Sequence, residues 1–452
     1  MLRTHILLLA CIISTMALKA QSHEPTYADA AMLPDVTAYL PTPPDTASRA
    51  FAGDFMRWQW GKTLRADRNR GAKANQDTQL GVARTSVIYS SVLGFDIDSV
   101  TTPAIHRLLE KGGNTAIASA LAAKGNVQRK RPFVQMNEHS WGDHETEAEL
   151  RATSSYPSAH AAAGWATALL LAEIAGAEQN AIFFNGYDYG TSRVIAGANW
   201  QSDVEAGQLC GAAAVALMHN SPDLASDLAA AKAEYLAQST NATPNTTLPN
   251  GLAFIPAPAD SLNRDFVCDI VNYWQAKSLR ATTRGTQAIA DADSTTTAYM
   301  KAFMKIIDIE PTDAPSLAQV ITQATDVLRQ SAREMKSARL RWRPYAKLNE
   351  PTLIGADEAG YKASSSHPSE AAQIGWGLAL LMAEIAPAHQ DQILQRGYEY
   401  GRSRIIAGYQ YASDIAAGRT MAAAIVARLH AITDFATLLS AAKDEYITSV
   451  QP

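Results

Sequence analysis

Three short stretches of the chain gather groups that together could hold a phosphate. Lys124 and Arg131-Pro132 are separated by six residues, a spacing that lets a helix end and the turn after it aim both cations at one point. Pro157-Ser158-Ala159-His160 reads as a helix start, where unpaired backbone N–H groups and the helix dipole favour an anion. Arg193 offers a planar fork matched to phosphate oxygens. Asn199 and Asp203 follow, four apart, as neighbours on one helix face would be. Singly, each has a plain reading: a lysine near an arginine is solvated surface, and PSAH is an ordinary N-cap. Their order and their recurrence give them weight.

The recurrence is extensive. SRVIAGANWQSD (192–203) returns as SRIIAGYQYASD (403–414), identical at seven of twelve positions and 211 residues on. AGWATALLLAEIA (163–175) returns as IGWGLALLMAEIA (374–386), and GYDYG (186–190) as GYEYG (397–401). Upstream, PTPPD (41–45) faces PAPAD (256–260), and GKTLR (61–65) faces AKSLR (276–280). The period is too long for a solenoid. It predicts two tandem, self-sufficient domains, copy one over 39–238 and copy two over 254–447, joined by a polar, turn-rich linker over 239–253. The Asn-x-Thr sequons of that linker matter only in a host that glycosylates. Within a copy the signals are helical: Ser158 N-caps an alanine-rich helix that ends near Gly176, Ser202-Asp203 opens another, and 224–237 is amphipathic. Strand alternation is nearly absent, so the fold class is all-α, two helical bundles in tandem.

The 39 basic and 44 acidic residues leave a net charge of -5, which gives no support for nucleic acid or an anionic membrane as partner. Residues 1–20 read as a signal peptide: Arg3, an apolar run, then a small residue at Ala20. A lipid-attachment box at Leu8-Leu9-Ala10-Cys11 is disfavoured because the apolar run continues past Cys11. The mature chain is therefore expected to be exported, periplasmic or secreted, without membrane insertion. Cys210 and Cys268 remain, read as buried small hydrophobes or as one bridge. No cysteine spacing suits zinc, and neither a metal nor a cofactor is expected.

Lys124-x6-Arg131-Pro132, PSAH and SRVIAGANWQSD together resemble the three-part signature of the type 2 phosphatidic acid phosphatase superfamily, shared with vanadium haloperoxidases. They are similar above all to the class A bacterial non-specific acid phosphatases, whose pattern is K-x6-RP, PSGH and SR-x5-H-x3-D. The resemblance implies that fold for both copies. It implies phosphate binding by Lys124, Arg131, Ser158, the backbone N–H of Ala159, and Arg193. It implies that His160 protonates the leaving alcohol, and that the SR-x5-H histidine attacks phosphorus while Asp203 orients it. The chemistry is coherent on its own terms, since phosphoryl transfer needs charge neutralisation, an in-line nucleophile and an acid.

The chain departs from that pattern at the nucleophile. Asn199 stands in copy one and Gln410 in copy two, and an amide cannot form the phosphoenzyme although it can donate hydrogen bonds. Asp203 is then free to bond the Asn199 amide. Copy two keeps Lys336, Arg343, Arg404 and Asp414, but PSGH becomes Pro368-Ser369-Glu370-Ala371, so its imidazole is lost at Ala371 and Glu370 brings a negative charge toward the site. His139 and His144, in NEHSWGDHE with Asp143 and Glu145, are candidates for a replacement nucleophile or metal ligands, read foremost as exposed loop. His367 reads as pocket rim or surface, and His219 and His430 as packing or capping. Three functions stay open: an exported phosphate- or phosphomonoester-binding protein with doubtful hydrolysis, a weak acid phosphatase using His160 and water, and a non-catalytic structural or partner-binding module. The two copies are expected to pack on each other.

Overall fold

The computed structural model describes residues 24–142, 144–239, 247–259 and 264–450. The expected signal peptide, both sequon asparagines and Asp143 lie outside the described residues, as do the side chains of His144 and Glu145. Among the described residues the regular structure is helical, with no strand. None of these helices is by itself long and apolar enough to cross a membrane.

The helices that matter for the site are α1 (Phe51–Leu64), α2 (Pro103–Asn126), α3 (Ala159–Ile174), α4 (Gln179–Ile195), α5 (Gln201–Met218) and α6 (Pro222–Gln238). Six more run in the second half in the same order: α7 (Arg264–Lys277), α8 (Pro315–Ala338), α9 (Glu370–Ile385), α10 (Gln390–Ala407), α11 (Ala412–His430) and α12 (Thr433–Val450).

The hub of the first half is α3. Ser158 caps it by accepting the Ala161 N–H on its hydroxyl, satisfying one of the orphan donors of the first turn. All sixteen of its residues are buried, as an evenly apolar helix must be. The covering helices are α2, α4 and α5. In the second half α9 is capped by Ser369 and covered by α8, α10 and α11.

The repeated glycines explain how α3 and α4 come so close. A Cβ on Gly186 would lie 2.5 Å from the Ala168 Cβ and 2.8 Å from the Gly164 carbonyl oxygen; at Gly397 it would lie 2.7 Å from the Gly375 oxygen. Only glycine permits that approach. The short connection after Ile174 makes α3 and α4 antiparallel, so the start of α3 meets the end of α4. That places Ser158 and His160 beside Arg193.

The largest apolar cluster runs through both halves, with Trp165 and Leu169 in the same body as Trp376 and Leu380. Helix α3 also packs on α11, α9 on α5, and α5 on α11. Each bundle thus leaves part of its apolar hub to be covered by the other, a sharing that repeat boundaries alone do not reveal. Cys210 and Cys268 are not bridged; the buried Cys210 thiol donates to the Ser119 hydroxyl at 3.2 Å.

Candidate phosphate site

In the first half, three cations converge near the N-terminus of α3. Lys124 lies in the last turn of α2, and its Nζ donates to the Ser154 carbonyl at 2.7 Å. Burial, then the Arg131 charge, push its ammonium down to about 7. Arg131 is the N-cap of a short turn of helix. Its fork donates to the carbonyls of Leu150, Ala198 and Ser154 and to the Thr153 hydroxyl at 2.9 to 3.1 Å. Burial and the neighbouring Arg193 lower it to about 10.

Arg193 is different. It is 0% exposed, and none of its three guanidinium nitrogens has a hydrogen-bond acceptor among the described residues. Burial holds it at about 10. A buried cation with unmet donors carries a large desolvation cost, so this is the feature of the site that most needs a partner.

His160 is buried by the first turn of α3 and its Nε2 lies 2.9 Å from the Thr78 carbonyl oxygen. That oxygen only accepts, so the ring carries its proton on Nε2 and, when neutral, its lone pair on Nδ1. Burial, then the Arg193 charge, hold its pKa well below the usual histidine value. In this state the ring is set to accept a proton on Nδ1 and has only the Thr78-bound proton to give.

Asn199 and Asp203 do not share a helix face. Helix α5 begins at Gln201 with Trp200 as its N-cap, so Asn199 stands in the turn before it. Its buried amide donates to the Ser155 carbonyl at 2.6 Å and not to Asp203, because both Asp203 oxygens are engaged elsewhere. One closes the α5 start by accepting the Trp200 N–H at 2.7 Å, and the other pairs with Arg129. The Asp203 backbone carbonyl also accepts from the Ser158 N–H at 2.9 Å, tying the start of α5 to the start of α3.

The second half repeats this frame with changed contents. Lys336 donates to the Ser365 carbonyl at 2.7 Å and is likewise pushed down to about 7 by burial, then by Arg343. Arg343 reaches the carbonyls of Tyr361, Tyr409 and Ser365 and the Ser364 hydroxyl. Arg404 is packed by an aromatic face, its guanidinium 4.4 Å from the Tyr409 ring centre; the matching position in the first half is Ala198. Ser369 gives its hydroxyl proton to the Gln410 Oε1 at 2.7 Å, and Gln410 donates to the Ser366 carbonyl. Asp414 pairs with Arg341, and Ala371 is buried with no side chain able to reach a ligand.

One expectation is sharpened here and one is corrected. Glu370 makes its ion pairs with Arg329 and Arg333 on α8, at 3.5 and 3.9 Å, while its charge still reaches Lys336 of the second site. His367 is not at a rim but buried, 2% exposed, with its Nδ1 3.4 Å from Asp414. The chain around the following proline points that position inward, as it does Tyr156. His139 points to solvent, its side chain 75% exposed and beside Glu147.

The PAP2 superfamily model matches residues 110–226. The chain is 37% identical over 205 residues to a non-specific acid phosphatase of Providencia stuartii, a stretch covering 44% of this chain and 81% of that protein. The chain belongs to the non-specific acid phosphatase family. It is also 33% identical over 215 residues to an acid phosphatase of Zymomonas mobilis, covering 47% of this chain and 81% of that one. With a non-specific acid phosphatase of Salmonella typhimurium the identity is 36% over 200 residues, 43% and 78% of the two chains. By family it is a phosphoric monoester hydrolase of the all-α PAP2 type.

Within this acid phosphatase frame the network around Asp203 has members that the motifs do not name. Arg129 pairs with both Asp203 and Asp54, the latter at 2.6 Å, and Asp54 accepts the backbone N–H and hydroxyl of Ser202. Arg341, Asp414, Asp269 and Ser413 make the same set in the second half. The signal was available: Arg-x-Arg-Pro occurs at 129–132 and again at 341–344, and Asp54 and Asp269 sit in the paired helices α1 and α7.

Proposed function

We propose that the first half is a pocket for phosphate or a small phosphomonoester in which hydrolysis is impaired, because Asn199 occupies the place of the attacking histidine. The observation that carries this is Arg193, whose buried guanidinium nitrogens have no acceptor among the described residues. A dianion beside Lys124, Arg131 and Arg193 would supply charge-assisted hydrogen bonds worth about 1.5–3 kcal/mol each. It would also offset the mutual repulsion that, after burial, lowers Lys124, Arg131 and His160. Ser158 and the Ala159 N–H at the α3 start complete the cradle.

The second half is proposed as a packed pseudo-site. Tyr409 covers Arg404, Gln410 takes the Ser369 hydroxyl, and Ala371 and Gln410 stand at the two histidine positions of the pattern, the buried His367 lying instead against Asp414. The repeat boundaries at 39–238 and 254–447, the joining segment 239–253 and export to the periplasm or medium belong to the same reading. A weak hydrolase is supported by one observation, the neutral His160 with its lone pair on Nδ1, which could take a proton from an attacking water. Calorimetric titration of inorganic phosphate and phenyl phosphate into the purified protein tests the proposal. One bound anion per chain, lost in Arg193→Met, is expected. No binding by either ligand would leave the scaffold reading in its place.

A further inference from the structure

Away from the phosphate site, His219 follows α5 as its C-cap and His430 ends α11. Their rings stack with centres 3.8 Å apart and planes 7° from parallel, where the two halves meet. His219 Nε2 lies 3.0 Å from Glu173 of α3, and His430 Nε2 lies 2.7 Å from Glu384 of α9. His430 Nδ1 faces the Val426 carbonyl oxygen at 2.9 Å. A carboxylate and a carbonyl both only accept, so each nitrogen of His430 must carry a hydrogen. His430 is therefore an imidazolium. His219 has its recorded partner in Glu173. The stack thus sets the His430 imidazolium on the His219 ring.

We infer that this stacked pair, with Glu173 and Glu384, is a one-proton clamp that holds the two halves most tightly in mildly acidic solution and slackens in alkaline solution. The charged groups facing it come from every helix around it. Glu173 and Glu384 are negative; Lys443 of α12 pairs with Glu384 at 2.7 Å and donates to the His219 carbonyl. Arg428 of α11 reaches the Ala172 carbonyl across the junction, and Lys232 of α6 lines the adjoining cleft. When His430 loses its proton, a lone pair must face either Glu384 or the Val426 oxygen, and the stack loses its charge.

A Glu173 oxygen and one nitrogen of each ring lie within 4.8 Å of one another. Lone pairs in parallel planes do not converge on a single ion, however, so a proton suits this geometry and a metal does not. The electrostatics agree in sign. Against the cost of burial, Glu384 raises His430 to about 9. A histidine raised in the folded state contributes fully below about 6.5, and that contribution is lost as pH rises through 9. Glu384, held below the usual carboxylate range despite burial, by His430 first, contributes above about 4.5 and loses it as pH falls. The clamp is therefore strongest from about pH 4.5 to 6.5.

The test is thermal and urea unfolding of the full chain from pH 5.5 to 9.5, with and without EDTA, for wild type and His430→Gln. The wild-type advantage over the variant should be largest at low pH and close between about pH 6.5 and 9, a change of up to roughly 300-fold in the folding constant. Parallel profiles would overturn the clamp, and so would a wild-type slope that EDTA abolishes, since that would mark a metal. Should the variant fail to fold, NMR titration of the wild-type imidazole protons decides. One ring protonated beyond pH 8 supports the clamp, and the lack of any ring titrating above about pH 7 refutes it.

Discussion

Replacing Arg193 by methionine should make the anion-free protein more stable, the reverse of what loss of a buried arginine usually does. The guanidinium is wholly buried and none of its nitrogens has an acceptor among the described residues. Burial takes it from its ordinary value to about 10. A basic group lowered in the folded state destabilises the fold at every pH below that value. At about 1.36 kcal/mol per pH unit the burden is about 3 kcal/mol at neutral pH. Methionine keeps much of the apolar stem, and its poorer fit costs on the order of 1 kcal/mol, so a net gain of roughly 1–3 kcal/mol remains. Urea unfolding in buffer free of phosphate and sulfate measures it. Adding phosphate should then stabilise wild type, by about 2.7 kcal/mol at a hundredfold excess over Kd, and leave the variant unmoved. A variant less stable than wild type without anion, yet still responsive to phosphate, would refute the reasoning.

The remaining predictions concern the neighbours of Arg193. Sulfate keeps its charge across neutral pH, so its affinity should follow the protein. Lys124 is at about 7 in the free site, and sulfate binding should weaken above pH 7 by up to about tenfold per unit, a slope that Lys124→Met removes in calorimetry. Arg129→Ala should destabilise by about 3–5 kcal/mol, because it strands two buried carboxylates, and Arg341→Ala should cost a similar amount in the same urea assay. That equality would mark the network as scaffold in both halves. His139→Ala should leave phosphate affinity within error of wild type, since that imidazole faces solvent.

Much of the fold was legible in the residues themselves. The apolar run after Ser158 and the glycine phrases dictate a buried α3 held close to α4, and the repeat forecasts the second set of helices. The cations were legible too, because Lys124, Arg131 and Arg193 carry recognisable spacing. Side-chain direction was not. Asn199 and Asp203 are four apart, but the helix starts between them, so spacing misread their relation. Glu370 and His367 were placed by position in a motif, whereas partners distant in sequence, Arg329 and Asp414, decide where they point. The junction histidines recur at matching helix ends, yet nothing local says that their rings stack. Such contacts depend on how the two halves meet.

Hydrolysis of a chromogenic phosphomonoester by wild type and Asn199→His, side by side from about pH 4 to 8, tests the central claim most directly. Asn199 already sits at the site with its amide held by the Ser155 carbonyl, a bond that an imidazole N–H at that position could make while its other nitrogen attacks. The account predicts a nearly silent wild type and clear turnover in the variant. Robust wild-type turnover, abolished by His160→Ala, would contradict it.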